Sequence, residues 1–148
     1  MWADERPYGV NLGGMSCFTL AATDGPARAG VLHTEAYEVG EKAAAAIDRA
    51  RAAGRRIVAV GTTSVRVLET VWGSRPPRPR AGRADIFITP GYAFAATGAL
   101  VTNFHLPRST LLAMVMAFAG IDEVRRLYRA AVEERYRFYS FGDAMLIA

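Results

Sequence analysis

Ala99-Leu100-Val101-Thr102-Asn103-Phe104-His105-Leu106-Pro107-Arg108-Ser109-Thr110-Leu111-Leu112 reads as a buried strand that enters a short polar loop and then an apolar helix. A strand's carboxyl end and a helix's amino end meet at such a junction. Free backbone N–H groups, the positive end of the helix dipole and the polar side chains of the loop then face one crevice. The plainer alternative is also open: Ser109 or Thr110 caps the helix, and Pro107 and Arg108 only shape the turn.

Moving toward the N-terminus, a second junction of the same kind appears. Arg55-Arg56-Ile57-Val58-Ala59-Val60 is a short β-branched run of the type found in a strand covered on both faces. Gly61-Thr62-Thr63-Ser64-Val65-Arg66 follows, after which Val65, Leu68 and Trp72 recur at helical spacing. Thr62, Thr63, Ser64 and Arg66 could hold an anionic or hydroxylated group at that helix start, or be a hydroxyl-rich cap beside an exposed arginine. Two such junctions in one small chain favour a shared crevice.

The remaining elements frame these two. Glu41 to Ala53 has helical composition, with Gly54 where a C-terminal cap belongs. Asp85-Ile86-Phe87-Ile88-Thr89 reads as another strand, closed by the turn signature Pro90-Gly91. Gly120 ends the helix after Ser109, and Asp122 is expected to cap a further one whose apolar positions include Val124, Leu127, Tyr128, Ala131 and Val132. Residues 1–30 form an irregular segment in which Val10 to Leu20 could hold one strand. The stretch 73–83, with Arg75, Arg78, Arg80 and three prolines, cannot be helix or central strand and reads as a solvated connector or a phosphate-contacting arm. The alternation implies an α/β domain over 31–148 with a mostly parallel sheet and flanking helices.

Composition narrows the classes. In 148 residues, 51% are hydrophobic and 22% charged, which fits one globular domain and excludes wholesale disorder. The longest apolar run, Leu111 to Ala119, is about half the length of a membrane span, so no membrane helix is expected. Met1-Trp2-Ala3-Asp4-Glu5-Arg6 lacks the basic and apolar stretches of a secretory leader, and Cys17 is alone. Both point to the cytoplasm. His33 and His105 have neither the spacing nor the companions of a zinc site, so no metal is expected. Net charge is +4, with Lys42 the only lysine, and arginine suits bidentate phosphate or carboxylate contacts, although an arginine-rich genome would give the same bias.

Four blocks, taken together, carry a resemblance: Ala59 to Glu69, Ile86 to Phe94, Leu100 to Leu112, and Tyr136-Arg137-Phe138-Tyr139-Ser140-Phe141-Gly142-Asp143-Ala144-Met145-Leu146-Ile147. In order and spacing they resemble the S-adenosylmethionine:tRNA ribosyltransferase-isomerases of queuosine biosynthesis. The resemblance implies that S-adenosylmethionine is a ribosyl donor and that the acceptor is 7-aminomethyl-7-deazaguanine at the tRNA wobble position. Epoxyqueuosine is then the product, with adenine and methionine released. A general base, a polar crevice for the donor and a basic surface for RNA are required. His105 and Asp143 are the candidates for proton transfer. Thr62, Thr63, Ser64, Arg66, Asn103, Ser109 and Thr110 are those for donor binding, and Arg108, Arg137, Arg75, Arg78 and Arg80 those for RNA.

The chain also departs from the family. Its members are longer, and the part without a counterpart here includes a piece of the α/β domain and an inserted β-barrel. The segment Val10 to Thr19 lacks the histidine of the family's pattern, whereas His33-Thr34-Glu35 keeps a later His-x-Glu. The expectation is therefore a C-terminal half with an incomplete sheet, whose exposed edge a complementary chain could cover. A tRNA- or nucleoside-binding module without catalysis, and an enzyme using S-adenosylmethionine on a small molecule, are the alternatives.

Overall fold

The computed structural model describes residues 35–73, 81–139 and 142–148. The expectations placed on residues 1–34, including the strand within Val10 to Leu20, Cys17 and His33, lie outside these, as do Arg75, Arg78 and Arg80.

Local chemistry accounts for the helices. Helix α1 (Glu41–Ala52) places Glu41 in its first turn and Arg49 and Arg51 in its last, each complementing the helix dipole. It buries Ala44, Ile47 and Ala50 and ends where Gly54 takes φ +63°. Strand β2 (Val58–Val60) then leads through Gly61 into α2 (Thr62–Trp72), in which every residue except Thr63 is buried. A helix enclosed this completely must satisfy its own polar side chains internally. Helix α3 (Thr110–Ala119) is apolar from Leu111 onward, and α4 (Ile121–Glu133) follows after Gly120, buries Val124 and Ala131, and turns its charges outward.

The strands form two small sheets. Strand β1 (Glu35–Glu38) pairs antiparallel with β3 (Ala81–Ala84), bringing Glu38 opposite Ala81. The other sheet has the order β2-β4-β5, where β4 is Ala99–Asn103 and β5 is Ala144–Ile147. Strands β2 and β4 run parallel with Val60 opposite Val101, whereas β5 runs antiparallel to β4 with Asn103 opposite Ala144. Helix α2 packs against β2, β3 and β4, and Val65, Leu68, Val71, Ile47, Ile88, Leu100 and Val115 form the core around it.

Several sequence expectations are corrected here. Among the described residues a mostly parallel sheet is not confirmed: of the three strand pairings there, β2 with β4 alone is parallel. The strand expected at Asp85 to Thr89 forms four residues earlier, inside the stretch read as the end of the proline–arginine connector. Pairing with β1 decides this, and Gly82 lets the Tyr37 ring approach, since a Cβ there would stand 3.3 Å from the tyrosine Oη. Residues 85–89 instead form no regular element, with Ile88 buried, and the Pro90-Gly91 turn is present, closed by Tyr92 N–H donating to the Thr89 carbonyl. Strand β2 is not covered on both faces, since Val60 is 59% exposed. Asp122 lies within the first turn of α4, and Gly120, at φ +89°, occupies the cap position. The C-terminal strand β5 was not anticipated.

Candidate functional site

The two junctions lie side by side because their strands are parallel neighbours. Gly61 N–H donates to the Val101 carbonyl at 2.8 Å, tying the turn into α2 onto the end of β4. Gly61 has φ +87° and ψ 149°, a conformation that is essentially glycine's alone, so the turn depends on it. No side chain caps the start of α2. The hydroxyl of Ser64 turns inward and donates to the Val60 carbonyl at 2.7 Å, while Thr62 is buried and Thr63 is half-buried.

Arg66 does not face this crevice as a free cation. Its Nε and Nη2 donate to the carbonyls of Ile86 and Ala84 at 3.3 and 3.0 Å, which pins β3 and the stretch after it against α2. Arg66 is only 7% exposed, and its guanidinium gives these carbonyls a buried, charged donor. Its place is thus in the scaffold behind the site.

The second wall is the loop from Asn103 to Ser109. Asn103 Nδ2 donates to the Asp143 carbonyl at 3.1 Å, and Tyr139 N–H donates to the Phe104 carbonyl at 2.7 Å, so the segment entering β5 is laced to this loop. Phe104 is buried at the centre of an aromatic cluster with Tyr128, Tyr136 and Phe138, at ring separations of 5.3 to 5.6 Å. These aromatics therefore serve as packing, with the rings of Tyr136 and Tyr139 still about half exposed. Leu106 and Arg108 project from the loop, Arg108 with φ +61°. Ser109 is the N-cap of α3, its Oγ accepting from Leu112 N–H at 3.1 Å, and Thr110 is exposed beside it.

His105 sits at the root of this loop and is 8% exposed. Its Nε2 stands 2.7 Å from Thr102 Oγ1, and its main-chain N–H donates to Tyr128 Oη at 2.8 Å. Burial lowers its pKa, so the imidazole is neutral at neutral pH and able to accept a proton. Burial likewise raises the Tyr128 phenol, partly offset by the N–H it accepts from His105. Asp143 is placed differently. Its carboxylate takes Arg137 Nε and Nη2 at 3.2 and 3.0 Å and the Arg137 main-chain N–H as well. The Arg137 side chain, and then its backbone N–H, hold the carboxyl below its ordinary value, which leaves a weak base; Arg137 in turn is occupied by this pair.

Of the residues singled out from sequence, the structure brings Thr62, Thr63 and Ser64 to the end of β2 and Asn103, His105, Ser109 and Thr110 to the end of neighbouring β4. Two residues that bear on the site were not singled out, Thr102 and Tyr128. Neither carried a signal in the sequence, because their significance lies in a contact with His105. Among the described residues no three His, Cys, Asp or Glu side chains gather as a metal site would need, and no helix is long and apolar enough to cross a membrane.

This arrangement defines an α/β domain in which two strand–loop–helix junctions lie side by side at the carboxyl ends of adjacent parallel strands, the place where open α/β sheets bind ligands. Residues 13–147 match the family described as queuosine biosynthesis protein, and the chain belongs to that family. Among curated relatives, the S-adenosylmethionine:tRNA ribosyltransferase-isomerase of Symbiobacterium thermophilum is 61% identical over 117 residues, covering 78% of this chain and 34% of the relative. Its namesake from Anaeromyxobacter sp. (strain Fw109-5) is 59% identical over 117 residues, 79% of this chain and 34% of the relative. The one from Aromatoleum aromaticum is 45% identical over 152 aligned residues, 99% of this chain and 44% of the relative. A crystal structure of S-adenosylmethionine tRNA ribosyltransferase from Thermotoga maritima superposes with a TM-score of 0.70 at 53% identity, covering 77% of this chain and 41% of that one. The chain thus spans between a third and a half of the length of these relatives.

Proposed function

We propose that this chain supplies one wall of the active site of an S-adenosylmethionine:tRNA ribosyltransferase-isomerase. That enzyme transfers and isomerises the ribosyl group of S-adenosylmethionine onto 7-aminomethyl-7-deazaguanine in tRNA, giving epoxyqueuosine. The observation that carries the reading is the paired junction at the ends of β2 and β4, with a neutral, buried imidazole at its root, in a chain 59% identical to relatives of that name.

The chemistry assigns work to specific groups. The donor's sulfonium acidifies the adjacent C5′–H, and His105 takes that proton; the C–H electron pair breaks the C4′–O bond to leave a vinyl sulfonium, and the freed oxygen becomes the C1′ aldehyde as adenine departs with a proton. The acceptor amine adds to the vinyl carbon and loses a proton, the resulting ylide carbon closes on the aldehyde, and the alkoxide so formed displaces methionine to give the epoxide. Thr62, Thr63, Asn103, Ser109 and Thr110 present hydroxyls, an amide and helix-start N–H groups to the donor's ribose and methionine carboxylate. Arg108, exposed at the loop tip, meets RNA phosphate, as do Arg75, Arg78 and Arg80. Asp143 and Arg137 hold the segment entering β5 in place. The chain spans 34–44% of its relatives' length, so the rest of the active site corresponds to the relatives' other segments, supplied within the same protein or by a complementary polypeptide. The setting is the cytoplasm, where tRNA is modified.

Adenine release tests this directly. The chain is mixed with S-adenosylmethionine and tRNA carrying the deazaguanine base, with and without the complementary part of a relative, and free adenine is followed by chromatography. Release only in the complemented mixture is expected. Release by the chain alone overturns the need for a partner. Salt-dependent tRNA binding with no adenine from either mixture supports a binding module instead.

A further inference from the structure

Thr102 belongs to β4 and points its hydroxyl at the ring of His105 from a position only 4% exposed. The 2.7 Å contact between Thr102 Oγ1 and His105 Nε2 is the one polar contact either side chain makes among the described residues, which leaves Nδ1 without a partner. The main chain of His105 is fixed separately, through its N–H to Tyr128 Oη. The residue is therefore held at two points, from β4 at the ring and from α4 at the backbone, on a loop whose carbonyl at Phe104 is anchored by Tyr139.

The partner of one imidazole nitrogen decides which nitrogen carries the proton. A threonine hydroxyl can in principle donate or accept, but a base that works through Nδ1 needs its lone pair there, so Nε2 must be the protonated atom. The hydrogen bond then survives the proton transfer: Nε2–H donates to Thr102 Oγ1 in the neutral imidazole and in the imidazolium alike. The groups that face His105 are the hydroxyls of Thr102 and Tyr128; the nearby charged pair, Arg137 with Asp143, is closed upon itself. Among the described residues no carboxylate contact selects the tautomer in place of the threonine.

We propose that Thr102 is the positioning residue for His105, accepting from Nε2–H and thereby fixing the tautomer whose Nδ1 lone pair serves as the base. The role of that base in ribosyl transfer, and the tautomer inferred from it, rest on the function proposed above; the tautomer is read below without reference to activity. The test uses the whole chain labelled with 15N-histidine, in three forms: native, Thr102→Val, which keeps the shape and removes the acceptor, and Thr102→Ser, which keeps the hydroxyl. Long-range proton–nitrogen spectra at neutral pH read which ring nitrogen of His105 is protonated, and His105→Gln assigns the signals. The native and serine forms are expected to show one tautomer, protonated at Nε2, and the valine form a mixture. Protonation at Nδ1 in the native chain, or an unchanged tautomer in the folded valine form, overturns the proposal. Should valine fail to fold, the native and serine spectra still decide it.

Activity separates this from the reaction itself. In the complemented enzyme, Thr102→Val is expected to lower kcat by about tenfold to a hundredfold with KM unchanged, and serine to restore it. A rise in KM with kcat intact contradicts the positioning role. If no preparation releases adenine while the tautomer shifts as expected, ribosyl transfer fails and the positioning by Thr102 stands.

Discussion

Replacing Glu69 with alanine removes a buried acceptor on which a whole loop depends. The carboxylate is 2% exposed; Oε1 accepts from Ala96 and Thr97 N–H at 3.1 and 2.8 Å, and Oε2 from Ala95 N–H and Tyr92 Oη at 3.0 and 3.3 Å. In Glu69→Ala the Ala96 and Thr97 donors stay buried without a partner, at about 1–3 kcal/mol each, so the loss is about 2–6 kcal/mol. The Ala95 donor adds little, because its residue is exposed and water can replace the acceptor. Against a total stability of about 5–15 kcal/mol, that is a large fraction. Glu69→Gln keeps the shape and one oxygen, which can still serve Ala96 and Thr97, while its NH2 opposes the Ala95 N–H; a loss of about 1–3 kcal/mol is expected. Urea denaturation followed by circular dichroism measures both. An alanine variant within about 0.5 kcal/mol of native, as for an ordinary surface change, would refute the reasoning, and so would glutamine costing as much as alanine.

Three further outcomes are expected. Burial first, then the charge and hydrogen bond of Glu69, push the Tyr92 phenol from 10.0 up to about 12. A raised folded pKa means that stability is full below about pH 10 and falls as pH rises toward about 12, a limb that Tyr92→Phe removes in denaturation midpoints taken across that range. For His105 the sign is opposite: its pKa lies below the ordinary 6.5, so its contribution is present above that pH and is lost as pH falls through the lowered value. The C2–H resonance that disappears in His105→Gln should titrate below 6.5. Ser109→Ala deletes the acceptor for Leu112 N–H and should cost about 1 kcal/mol, read as a fall in Tm of about 2–4 °C, while Ser109→Gly should cost only a few tenths.

Much of the site's framework was legible because it is local. The β-branched run before Gly61, the helical spacing of Val65, Leu68 and Trp72, and the cap at Ser109 are each set within a few residues, and the structure has all of them. The side chains grouped there as binding residues separate into two kinds only in three dimensions. Arg66 reaches carbonyls 18 and 20 residues away, and Asp143 closes on Arg137, so charges that looked available are engaged by the fold.

By itself the sequence determined the α/β class, helix α1, both strand–loop–helix junctions and the family, all carried by short-range patterns of side-chain size, polarity and backbone freedom. Only the tertiary structure decided that β5 returns antiparallel beside β4, that β3 forms at Ala81 and not at Asp85, and that Thr102 meets His105. The reason is that strand partners and buried hydrogen bonds are chosen between segments distant along the chain. A four-residue strand or a lone threonine has too little local preference to announce its partner.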